Sequence, residues 1–84
     1  MQQQATTPEI ECRIRVMMAE RHIKTIKELH RRLTQIGVTI SSAQLSRVVD
    51  GKWQRINSEL LAGMAVVMDC EIGDLLRLAR TQRI

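Results

Sequence analysis

Apolar positions along the chain recur three and four residues apart, the spacing of one helix face, in five separate stretches. Ile10, Ile14, Met17 and Met18 form the first stripe. Thr7-Pro8-Glu9 ahead of it reads as a helix start: a threonine cap, a proline whose missing N–H costs nothing in the first turn, and early acids. The spacing predicts a helix from there to about Arg21. Ile26, Leu29, Leu33 and Ile36 form the second stripe. It opens at Thr25-Ile26-Lys27-Glu28, a capping-box pattern, and closes at Gly37. Val38-Thr39-Ile40 is β-branched throughout and predicts a turn. Ser41 to Gln44 repeats the capping pattern and opens a short third helix, with Leu45, Val48 and Val49 inward and Asp50-Gly51 at its end.

After a loop at Lys52–Ile56, Asn57 caps a fourth helix with Leu60, Leu61, Met64, Val67 and Met68 inward. This segment is apolar nearly all round, which predicts the central, most buried helix. Gly63 inside it costs about 1 kcal/mol of helix propensity, which points to a close-packed neighbour. Glu71 to about Ala79 reads as a fifth helix, with Ile72, Leu75, Leu76 and Leu78 apolar. No segment shows convincing period-two alternation. The expectation is an all-α fold: five short helices, marginal alone, sharing one compact core.

Composition narrows the function. At 84 residues there is room for one domain. Its core is thin, since folding at this size buries roughly 60–65% of the unfolded chain's surface. Residues 1–7 read as a flexible tail, 8–80 as the folded domain and 81–84 as a basic end. The longest uncharged apolar run, Leu60 to Met68, falls short of the roughly 20 residues a membrane span needs. The polar N-terminus does not resemble a signal peptide, so the expected compartment is the cytoplasm, with Cys12 and Cys70 as reduced thiols. His22 and His30 share no metal-ligand spacing with these cysteines, so no metal or cofactor is expected. No Gly-rich phosphate loop or nucleophile elbow is present, so no enzyme is expected. The formal charge is +4, and arginine outnumbers lysine ten to three. Arginine suits planar contacts to phosphate and base edges.

Residues 25–51 are arranged as a helix-turn-helix: a capped helix, a turn and a second capped helix. With Leu45, Val48 and Val49 inward, the outward face carries Ala43, Ser46, Arg47 and Asp50, with Gln44 on its flank. Ser41 and Ser42 sit at the tip, where free N–H groups suit a phosphate. Glutamine can bond adenine and arginine guanine. Trp53 reads as a lid on the edge of the core, and Arg31-Arg32 as a solvated face.

Four blocks carry a family resemblance: Ile14 to Thr25, Glu28 to Leu33, Gln44-Leu-Ser-Arg-Val-Val-Asp-Gly-Lys52, and Leu60 to Leu76. In this order, over about 70 of the 84 residues, they resemble the lambda-repressor-like, or XRE-like, helix-turn-helix family. The resemblance implies a bacterial, phage or plasmid regulator that binds double-stranded DNA, expected to be a repressor. It maps base contact onto Ser42, Ala43, Gln44 and Arg47. It maps phosphate contact onto Thr25, with Ser41, Lys52 and Arg55 also positioned for phosphate. It further implies an inverted-repeat operator and a homodimer, at least on DNA. No small-molecule ligand is expected. Two departures stand out. His30 occupies a position where many members have a small residue, and the turn glycine comes late, at Gly37, lengthening the second helix and turn. The lengthened arm from Arg31 to Gly37 motivates the alternative reading, a protein-interaction module of antitoxin-like or adaptor type.

Overall fold

The computed structural model describes residues 8–79. The chain runs β1 (Ile10–Cys12), α1 (Ile14–Glu20), α2 (Ile26–Gln35), α3 (Ser42–Val49), α4 (Ser58–Met68), α5 (Ile72–Leu75) and β2 (Leu76–Leu78). α2 packs against α3 and α4, while α1 packs against α5. The shared core includes Ile14, Met18, Leu29, Leu33, Leu45, Val49, Met64, Met68 and Leu75, all buried.

The first four helices stop in the same way. A left-handed residue follows each, two positions past the last helical residue for α1 to α3 (His22, φ 60°; Gly37, 89°; Gly51, 75°) and directly after it for α4 (Asp69, 51°). The next N–H then reaches back five residues, from Ile23 to the Met18 carbonyl (2.8 Å), Val38 to Leu33 (3.0 Å), Lys52 to Arg47 (2.8 Å) and Cys70 to Ala65 (3.0 Å). Each bond satisfies a carbonyl the helix leaves open and reverses the chain. Ile23 and Val38 are buried just past their stops, so the reversal also returns an apolar side chain to the core. The stop of α4 lacks a glycine. There Arg21 donates from Nε to the Met68 carbonyl at 2.6 Å and from Nη2 to the Asp69 carbonyl at 3.3 Å. A cation on the last carbonyls of a helix complements its negative end.

Five helices stand in the expected order, but both ends of the domain differ from the expectation. The first helix does not begin at Pro8. Ile10–Cys12 is a strand, paired antiparallel with Leu76–Leu78 in the register Ile10 to Leu78, Glu11 to Arg77 and Cys12 to Leu76. The fifth helix correspondingly stops at Leu75 rather than about Ala79. The proposed cap Thr7 lies outside the described residues. The small ribbon escapes a periodicity search because three residues per strand are too few to show alternation, and the partners lie at opposite ends of the chain. Across it, Arg77 donates to Glu11 at 2.9 Å, an opposite-charge pair in direct register. Two stripe positions are also corrected. Ile10 sits on the ribbon and Ile36 just past the end of α2, and both are exposed.

α4 is the most apolar helix, yet it is not buried all round. Leu60, Gly63, Met64 and Met68 face the core, Leu61 and Val67 are half-buried, and Val66 is 68% exposed. The close neighbour expected at Gly63 is there. A Cβ on Gly63 would lie 2.7 Å from Val38 Cγ2 and 3.2 Å from Leu33 Cδ2. Val38 is β-branched and stiff, so it cannot swing aside. Gly63→Ala is expected to lower stability by about 1–2 kcal/mol. The overpacking cost outweighs the roughly 1 kcal/mol that alanine returns in helix propensity. Urea unfolding followed by circular dichroism measures the change, and an unchanged or raised midpoint would show that the turn yields at Val38.

Candidate nucleic-acid interface

Local chemistry orients α3. Ser41 has extended backbone, and its Oγ accepts the Gln44 N–H at 3.1 Å, capping the helix. Thr25 does the same for α2, its Oγ1 accepting the Glu28 N–H at 3.0 Å. Both expected capping boxes are half-formed. The Gln44 side chain meets the Ser41 hydroxyl at 3.5 Å rather than its backbone, and the Glu28 carboxylate turns to two arginines. Leu45, Val48 and Val49 anchor one face of α3 in the core. The opposite face is open: Ser42, Ala43, Gln44 and Arg47 are exposed, and Ser46 is half-buried.

The loop after α3 folds back along it. Trp53 Nε1–H donates to the Val48 carbonyl at 3.1 Å, and the half-buried ring packs on the core edge as a lid. This bond holds the loop against the C-terminal end of α3. Gln44, Arg47, Lys52 and Arg55 thereby line one open groove of about 310 Å³, with Trp53 as part of its wall. Ser41, Ser42, Ala43 and Thr25 stand outside that groove, the first three at the start of α3 and Thr25 at the start of α2. All four are exposed.

The acid on the outward face is not left bare. Arg15 Nε–H donates to Asp50 Oδ1 at 2.7 Å, joining α1 to the end of α3. This hydrogen bond holds the Asp50 carboxyl below its ordinary value, and the charges of Arg15 and Lys52 add to the effect. Asp50 would otherwise repel a phosphate close to Lys52. Sequence reasoning missed Arg15, because no local pattern links residues so far apart in the chain. Arg15, His22 and Lys24 also line a second groove, of about 370 Å³, beside α1.

Arg31 and Arg32, read as a solvated face, are engaged on their own helix. Both donate to Glu28 at 2.7 Å, and their hydrogen bonds lower the Glu28 pKa to about 2 from 4.5. Burial pushes the Cys70 thiol up, with nearby Asp74 adding to the effect. Among the described residues no three His, Cys, Asp or Glu side chains gather as a metal site, and no helix is long and apolar enough to cross a membrane.

Two capped helices joined by a turn, the second with one face in the core and the other open beside a cationic groove, define a helix-turn-helix protein. A family model described as the Cro/C1-type HTH DNA-binding domain matches residues 13–79, and the chain belongs to that family. This supports a DNA-binding regulator, and the lambda-repressor-like resemblance is borne out at the level of the family. Searches of curated proteins and of solved structures return no match to the chain.

The depressed Glu28 pKa makes a pH prediction. A carboxylate whose folded pKa lies below its unfolded value stabilises the fold above the unfolded value, and that stabilisation fades as pH falls through the folded one. The window here runs from about 4.5 down to about 2. Across it, wild-type Tm should fall more steeply than that of Glu28→Gln. The gap should shrink in high salt, because the cluster is solvent-exposed. Thermal melts at several pH values measure it, and parallel curves would exclude the effect.

Proposed function

We propose that the protein is a sequence-specific transcriptional repressor that lays α3 in the major groove of an inverted-repeat operator, as a homodimer at least when bound. The observation that carries this reading is the division of α3 into a buried face of Leu45, Val48 and Val49 and an open face of Ser42, Ala43, Gln44 and Arg47. The open face is short-chained except for Gln44 and Arg47, so the helix backbone can approach base edges closely. Those two side chains have the reach and donor geometry for adenine and guanine. Ser42 and Ala43 complete the base-facing surface. Thr25 and Ser41, at the N-termini of α2 and α3, present free N–H groups to phosphate, and Lys52 and Arg55 add charge. The half-sites would lie about one helical turn apart.

A protein-interaction module is the second reading. The observation favouring it is apolar exposure away from α3: Ile36 is 47% and Val66 68% exposed. The arm at Arg31 and Arg32 supports it less, since both arginines already bond Glu28.

Selection of bound duplexes from a random DNA library decides between the two. An enriched inverted repeat is expected. A folded protein that enriches no sequence would overturn the operator reading and bring the interaction module forward. On the selected duplex, Arg47→Ala should cost about 1–3 kcal/mol and relax preference at one base-pair position. Lys52→Ala should instead weaken all duplexes alike and lower the slope of log K against log salt by about one unit. Fluorescence anisotropy over a salt series measures both.

A further inference from the structure

We propose that His30 is a positioning residue for α3: its ring sets how the start of that helix meets the bases. The inference rests on the DNA-reading role given to α3 above. α2 ends when Val38 N–H reaches the Leu33 carbonyl, and α3 begins at its Ser41 cap. Between these two fixed points the chain crosses Thr39 and Ile40. Nε2 of His30, from the middle of α2, lies 2.7 Å from the Ile40 carbonyl oxygen. A carbonyl can only accept, so Nε2 carries the proton and donates.

The position of this bond matters more than its strength. The Ile40 carbonyl belongs to the peptide that leads into Ser41, so fixing its direction fixes the plane from which the first turn of α3 departs. Ile40 itself is half-buried against the core, and His30 is half-buried above it. The far end of α3 is held separately, by Trp53 on the Val48 carbonyl and by Arg15 on Asp50. Loss of the His30 bond therefore frees the end that carries Ser42, Ala43 and Gln44. Lys52 and Arg55 keep their places. Base discrimination should suffer while the charged phosphate contacts of Lys52 and Arg55 persist, a pattern that general destabilisation does not produce.

The test compares wild type, His30→Ala and His30→Gln on a duplex selected by the wild-type protein and on an unrelated duplex of equal length, across a salt series. His30→Ala should reduce the preference for the selected duplex about tenfold, the scale of one lost hydrogen bond. Its affinity for the unrelated duplex should fall far less, and its salt slope, set by Lys52 and Arg55, should not move. Glutamine offers an amide N–H at about the same reach and should restore most of the preference. An unchanged preference in His30→Ala overturns the proposal. So does an equal loss on both duplexes that glutamine fails to repair. Nitrogen NMR of the wild-type ring gives a check independent of any variant's folding: the proton must reside on Nε2, and its residence on Nδ1 would overturn the proposal. A wild-type protein that prefers no duplex overturns the reading of α3 itself, whereas a preference that survives in His30→Ala overturns only the role of His30.

Discussion

The seating of Val38 against Gly63 is the contact on which the open face of α3 depends. Val38 is the residue that returns to the core after α2 stops, and α4 can come close to it only because position 63 has no side chain. Leu33 shares the same space, so the end of α2, the turn and the middle of α4 form one packed unit. Close-packed interiors transmit displacement rather than absorb it. The direction in which α3 leaves the turn is therefore set from beneath by packing with α4, and on its polar side by hydrogen bonds.

Charge is managed by local pairing. Three acids have a cation at hydrogen-bond distance: Glu28 has Arg31 and Arg32, Asp50 has Arg15, and Glu11 has Arg77. Exposed pairs of this kind add little to stability. Their effect on a polyanion is larger. Pairing masks these three carboxylates, and Arg47, Lys52 and Arg55 stay exposed around one groove, where Glu59 is the acid on the lining. A net charge of +4 is modest, but the gathering of Arg47, Lys52 and Arg55 beside α3 raises the local positive potential there.

What was legible in the sequence was local. Thr25, Ser41 and Asn57 announce helix starts because a cap needs only a side-chain oxygen two or three residues from the N–H it accepts. Gly37 and Gly51 announce ends because the reversal needs left-handed backbone. His22 and Asp69 perform the same reversal without glycine, so composition does not mark them. The open face of α3 followed from periodicity alone. The groove did not, because it depends on Trp53 folding the loop back onto Val48. The Arg15–Asp50 link and the ribbon were hidden for a shared reason: each joins segments that become neighbours only through the tertiary fold.

The ribbon also has a kinetic meaning. Pairing Ile10 with Leu78 joins nearly the two extremes of the described chain, whereas the α2–α3 unit is built from contacts close in sequence. Closing so long a loop is entropically costly until the intervening helices are in place, so local units form first and the ends meet late. Cys12 on β1 lies beneath the stop of α3, its Sγ 3.6 Å from the Val49 carbonyl and its Cβ 3.2 Å from where a Cβ on Gly51 would stand. Late pairing of the ribbon thus sets a buttress under the end of α3. A chain whose residues 76–78 have not yet paired would carry α2, α3 and α4 packed together, yet lack that support beneath the end of α3.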